Sequence, residues 1–157
     1  MEFSLQRFGQ YKQSDKASAL KQRDYKDSTD LILRGGCNTM NETVRRLTPT
    51  ECSRLQGLPD GWVDIGDWVD ENGKLHKEAD SPKYKAIGNS IATPFWFYLL
   101  RRISAQYERP ATLGSLFSGI GGFEYCWEKS NGLGTAIWAS EIEQFPIAVT
   151  KKHFPEG

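Results

Sequence analysis

The chain has no apolar run long enough to cross a bilayer, and no basic-then-apolar start of the kind that marks a secretory signal. No membrane association is expected. Cysteine is scarce: Cys37, Cys52 and Cys126 are scattered and odd in number. That argues against a disulfide framework and points to a reducing compartment, the cytoplasm. There is no Cys-x-x-Cys, and His76 and His153 stand alone, so no metal site is expected and both histidines read as structural or surface residues. Net charge is lacking too. Twenty basic and twenty acidic residues cancel, which leaves no global field to draw in nucleic acid. The cancellation is uneven: residues 1–46 carry nine Lys/Arg against six Asp/Glu, whereas 104–157 carry four against six. The basic end is the better nucleic-acid face by that small margin.

What is present suits one folded domain, or a large piece of one: 157 residues, 38% hydrophobic, with five tryptophans. Residues 1–43 are polar and weakly periodic, with short strand candidates at Ala17 to Leu20 and Thr29 to Leu33. Residues 44–61, VRRLTPTECSRLQGLPDG, read as a short capped helix. Thr48 is the N-cap, Pro49 takes the first turn, and Glu51 completes a capping box. Leu47 and Cys52 occupy staple positions, Cys52 and Leu55 share a side, and Gly57 ends the helix. Asn72-Gly73 between apolar residues predicts a hairpin within a connector over 62–83. Gly88-Asn89-Ser90 predicts a turn. Thr93 is expected to cap a helix starting at Pro94, whose broad apolar face should pack against a sheet.

Residues 112–125, TLGSLFSGIGGFEY, are the most informative stretch. A strand-like run from Thr112 to Phe117 breaks into a glycine loop, Gly119, Gly121 and Gly122, and a helix follows to about Ser130. Strand, glycine loop and helix bring bare backbone against a nucleotide-like ligand. The loop departs from G-x-G-x-x-G at Glu124. A carboxylate there disfavours a pyrophosphate and tolerates a ligand bearing an amino group, such as S-adenosylmethionine. Residues 135–141, TAIWASE, read as a buried second strand. Glu141 at its end lies where an acidic side chain binds ribose hydroxyls, with Ile142 beside an adenine. A tight turn plus a surface acid is the plainer alternative. A last helix opens at Pro146.

Four segments together resemble the DNA cytosine-5 methyltransferases. LFSGIGGF is similar to the first motif of that family, and ASEIE to its second. RRLTPTECSRLQGLPD is similar to the penultimate motif, and YKAIGNSIATP to the last. The resemblance implies a partial Rossmann-like α/β methyltransferase domain that binds S-adenosylmethionine and acts on double-stranded DNA. Phe117, Ser118, Gly119, Ile120, Gly121 and Gly122 would surround the methionine and sulfonium. Glu141 would hold the ribose, Ile142 would pack on adenine, and Asn89 and Ser90 would close the methionine end. Arg45 and Arg46 would meet phosphates or brace the scaffold. Residues 1–43 would be the tail of a target-recognition region, 44–107 the C-terminal motifs, and 112–157 the start of the cofactor-binding domain.

The chain departs from the family in two ways. The last motif precedes the first, as in a circular permutation. The Pro-Cys-Gln, Glu-Asn-Val and Gln-x-Arg-x-Arg segments, which carry the nucleophile and its supports, do not occur. No catalytic residue is therefore assigned, and only two parallel strands are evident after residue 111. The expectation is an inactive portion of an enzyme, either the start of a permuted chain or one subunit of a split one. The missing catalytic portion would come from downstream sequence or a second polypeptide. The alternative is a non-catalytic module that binds cofactor or DNA. A nicotinamide oxidoreductase is disfavoured by Glu124 and by both upstream motifs.

Overall fold

The computed structural model describes residues 2–7, 10–14, 30–34, 43–109 and 111–155. Four short strands come first: β1 (Glu2–Arg7), β2 (Gln10–Ser14), β3 (Asp30–Arg34) and β4 (Thr43–Arg46). They form an antiparallel sheet in the order β2-β1-β3-β4. The expected strand over Thr29 to Leu33 is thus present as β3. The candidate over Ala17 to Leu20 lies outside the described residues.

Helix α1 (Pro49–Leu55) starts as its sequence dictates. Thr48 Oγ1 accepts from the Glu51 N–H, and Glu51 accepts in return from the Thr48 N–H at 2.8 Å, closing the capping box. Arg45 clamps the same carboxylate with two bonds of 2.8 and 2.6 Å, so it braces this turn. Cys52 is buried with Leu47 packed against its cluster. Leu55 is a correction: it is 45% exposed, and Ser53 and Gln56 point inward instead. The hairpin is present as β5 (Trp68–Val69) and β6 (Leu75–His76), an antiparallel pair across Asn72-Gly73. His76 stacks on Trp68 and bonds Asp70, a structural role.

The end of the connector also starts a helix, α2 (Asp80–Gly88), that the sequence pattern does not mark. Its apolar periodicity is poor because Lys83 faces inward, 6% exposed, with its ammonium bonded to Asp64 and Glu78. Burial pulls that ammonium's pKa down, and the two carboxylates more than restore it. Helix α3 (Thr93–Ser104) begins one residue earlier than expected, and Thr93 is not its cap. Thr93 is buried, and both its N–H and its hydroxyl donate to the Gln56 carbonyl at 2.8 and 2.9 Å. The end of α1 and the start of α3 are thereby tied. Nor does α3 lie on a sheet. It packs on α4 (Gly122–Asn131) through Leu100, Cys126 and Trp127, and leaves Phe95 and Tyr98 exposed.

The α/β portion is small. Strands β7 (Leu113–Leu116) and β8 (Ala136–Ser140) pair in parallel as a two-stranded sheet, with α4 between them in sequence and α5 (Gln144–His153) after. The second strand was expected to be buried. Instead Ile137 and Trp138 are 51% and 47% exposed, because neither face of β8 is fully covered among the described residues. The main core lies elsewhere: Leu58, Trp62, Val63 and Ile87 meet Ile120, Phe145 and Val149. None of the helices is long and apolar enough to cross a membrane, among the described residues.

Candidate functional site

Where β7 ends, the backbone turns sharply. Phe117 has φ 56°, a left-handed conformation that a phenylalanine rarely holds, and its ring is 81% exposed. Ser118 donates its N–H to the Ser140 carbonyl at 3.0 Å, which extends the β7–β8 ladder by one bond. Gly119 and Gly121 follow with φ 57° and 79°. Both positions need glycine for backbone reasons, and Gly121 also faces Phe154, whose ring lies 2.7 Å from where a Cβ would stand. The loop is anchored from below. Ile120 is 1% exposed in the main core, and its carbonyl accepts from Trp62 Nε1 at 2.8 Å. Trp62 in turn stacks on His153, with ring centroids 3.7 Å apart.

Glu141 reaches this loop. One carboxylate oxygen accepts from the Gly119 N–H at 2.7 Å; the other accepts from the N–H groups of Ile142 and Glu143 at 2.7 and 3.0 Å. Partial burial raises its pKa, but the three backbone donors outweigh burial and hold the carboxyl below its ordinary range. A charged acceptor thus sits beside bare glycine backbone. Ile142, 76% exposed, stands next to it.

The turn between α2 and α3 comes to the same place. Asn89 ends α2 with its N–H on the Lys85 carbonyl, and Ser90 donates to the Ile87 carbonyl. A Cβ on Gly122 would stand 2.9 Å from Ile91 and 3.4 Å from Ser90 Oγ. Two segments more than thirty residues apart in sequence are therefore in contact, and only a glycine lets them close. Asn89 is exposed and Ser90 half-buried. The Lys85–Glu143 ion pair, with bonds of 2.7 and 2.6 Å, ties α2 to the start of α5 beside Glu141.

The expected residues do not all take ligand-facing positions. The Ile120 side chain is core, so only its backbone is available to the loop. Ser118 is 6% exposed, with a hydroxyl that finds no partner among the described residues. Glu124 is buried as well. It does not line the loop's open face. It is 2% exposed and lies in a cavity of about 190 Å³ behind β8, with Ile147, Thr150 and Phe154. It nonetheless stays in the first turn of α4 and shares that cavity with Glu141. Trp62 and His153 hold the loop from beneath; the sequence marks His153 only as a structural or surface residue.

Comparison with known sequences decides the family. The signature of the C-5 cytosine-specific DNA methylases matches residues 2–105. The chain belongs to that family. The match includes the capping-box helix and the Asn89 turn and stops short of the glycine loop. Among curated relatives, Type II methyltransferase M1.ScrFI of Lactococcus lactis subsp. cremoris is 30% identical over 81 residues, covering 52% of this chain and 17% of the relative. Type II methyltransferase M.HgiCI of Herpetosiphon aurantiacus is 32% identical over 74 residues, 47% of this chain and 14% of the relative. A DNA N-6-adenine-methyltransferase of Escherichia phage P1 is 38% identical over 82 residues, 39% of this chain and 11% of the relative. This C-5 methylase family member thus spans less than a fifth of the length of each of these relatives.

Proposed function

We propose that the chain is a portion of a DNA cytosine-5 methyltransferase, with a permuted motif order, that supplies one wall of an S-adenosylmethionine pocket. The single observation that carries this reading is the contact of Gly122 with Ser90 and Ile91, which sets the Asn89 turn against the Gly119 loop. The residues present fit the cofactor. Gly119 presents bare backbone to open space, with nothing within 4 Å of where its Cβ would stand, and the anchored Glu141 carboxylate keeps a lone pair for a ribose hydroxyl. In this reading Phe117, Ser118, Gly119, Ile120, Gly121 and Gly122 enclose the methionine and sulfonium. Glu141 and Ile142 hold the nucleoside, and Asn89 and Ser90 close the methionine end. The family's cofactor supplies an electrophilic methyl group. The chain's own task is to hold and orient it beside bare backbone, with residues 1–43 belonging to a target-recognition region over double-stranded DNA.

Cytosine C5 becomes nucleophilic only after a thiolate adds to C6 of a flipped base. Neither described cysteine suits that role. Cys126 is 0% exposed, its thiol pushed up to about 11 by burial and by Glu124, and it bonds the Thr93 carbonyl. Cys52 is 3% exposed in the core; Cys37 lies outside the described residues. The nucleophile and the remaining strands are proposed to come from further sequence or a second polypeptide. Uncovered Leu116, Ile137 and Trp138 on the two-stranded sheet support that view.

The test is to mix the chain with a fragment carrying the Pro-Cys-Gln segment and measure transfer of labelled methyl groups to DNA, with the product base read by mass spectrometry. Methyl at C5 of cytosine, lost in E141A, is the expected result. Binding of cofactor or DNA without transfer would favour the non-catalytic module, and N6-methyladenine would overturn the base assignment.

A further inference from the structure

The cavity behind β8 has features that the cofactor reading does not use. Glu124 is 2% exposed at its base, and neither of its carboxylate oxygens has a hydrogen-bond partner among the described residues. Burying such a group without a donor is costly. Of the other lining residues, Glu71 and Glu141 are acidic, and Lys151 on exposed α5 surface makes no ion pair with Glu124. The walls identify the missing donor's carrier. Ile147, Thr150 and Phe154 recur at helical spacing along α5, and Ala136, Trp138 and Ala139 come from β8. Among the described residues β8 pairs only with β7, so its other edge offers free backbone groups. A right-handed continuation from β7 through α4, β8 and α5 places a further parallel strand at that edge, beneath α5 and about 4.8 Å from β8.

We propose that Glu124 is half of a buried ion pair, completed by an arginine or lysine on a β-strand of a partner polypeptide that adds to the free edge of β8. The proposal rests on the reading that the α/β portion is completed by other polypeptide. The apolar walls and the open backbone edge suit a strand better than a small free cation. The lone carboxylate fixes the charge of one inward side chain, which makes Glu124 a register mark for the added strand.

The whole chain is titrated with two synthetic strand peptides of alternating apolar and polar residues, identical except for arginine or glutamate at the central inward position. Hydrogen exchange is followed over residues 136–140, and affinity by calorimetry. The arginine peptide is expected to slow exchange there and to bind roughly ten-fold or more tightly than the glutamate peptide. In E124Q that preference should shrink to about two-fold, while the Tm of the peptide-free chain holds or rises. Equal affinities, no binding, or unprotected β8 amides would overturn the proposal. A lower Tm in E124Q would overturn it as well, by showing that the carboxylate already has a partner within the chain. None of these readouts involves S-adenosylmethionine or DNA, so absent methyl transfer would sink the functional reading and leave this result standing.

Discussion

Trp62 and Trp138 lie in opposite surroundings within the same chain. Trp62 is 6% exposed, stacked on His153, edge-on to Tyr125, and hydrogen-bonded to the Ile120 carbonyl. Trp138 is 47% exposed on a strand with one neighbour among the described residues, its ring lying over Gly114. The difference separates two kinds of region. The floor of the glycine loop is closed by residues already in the chain, from the connector, α2 and α5. The sheet from which that loop springs has two strands among the described residues and is covered only in part. The loop's shape is therefore set by packing, whereas the sheet has little packing to support it among the described residues.

The sharpest way to break the comparison is to truncate both tryptophans. W62A removes a buried ring, a stack and a hydrogen bond, and should cost about 3–5 kcal/mol in urea unfolding. W138A removes a half-exposed ring and should cost about 1 kcal/mol or less. Equal losses would mean that the sheet is as well supported as the loop floor.

G122A probes the joint between the two regions. Its Cβ would stand 2.9 Å from Ile91, so the Asn89–Ile91 turn must move away from the loop. Overpacking of this kind costs about 1–3 kcal/mol. Affinity for S-adenosylmethionine, measured by calorimetry, should fall by roughly ten-fold or more, because the wall opens where the methionine end is proposed to lie. Retained affinity would detach the Asn89 turn from the pocket.

How much of this was legible beforehand follows the same division. Local chemistry read true. The Thr48–Glu51 box, the Asn72-Gly73 hairpin and the glycine loop each depend on near neighbours in sequence, and each is present. Features set by distant contacts did not read. Helix α2 was hidden because Lys83 sits where an apolar residue would mark the inner face, and its charge is balanced by Asp64 and Glu78. Thr93 has the look of a cap, but the Gln56 carbonyl claims its hydroxyl. Glu124 follows the glycines closely enough to suggest a ligand neighbour, but its burial in the cavity beside β8 is set by α5 and β8, not by the local pattern. TAIWASE has the composition of a buried strand. Its exposure reflects the cover available, which no local pattern records. At the candidate site, backbone features were readable, whereas the Trp62–His153 buttress was not.

Within the packed region, Glu51 tests whether local chemistry carries weight of its own. Its carboxyl is held at about 2, below its ordinary 4.5, first by the Arg45 hydrogen bond and then by Thr48, against the opposing effect of burial. A carboxylate with a depressed folded pKa adds stability that is complete above its unfolded value. That stability drains away as pH falls from about 4.5 toward 2. E51A should lose about 1 kcal/mol at neutral pH, as capping residues do, and should show a shallower decline in stability across that acid window. An unchanged acid profile would mean that Arg45 and Thr48 contribute nothing through this group.

The smallest effect is expected at a pair that looks just as good on paper. Arg54 donates to both Asp60 oxygens at 2.7 and 2.5 Å, a two-bond clamp as short as that of Arg45 on Glu51. Both side chains are more than half exposed, however. Water and salt screen such a pair, and ordering two mobile side chains offsets the attraction. D60N should leave the urea midpoint where it is, at low and at high salt. A clear salt-dependent loss would show that the packed region relies on its surface charges. The contrast between Trp62 and Trp138 would then have to be restated in terms of charge as well as burial.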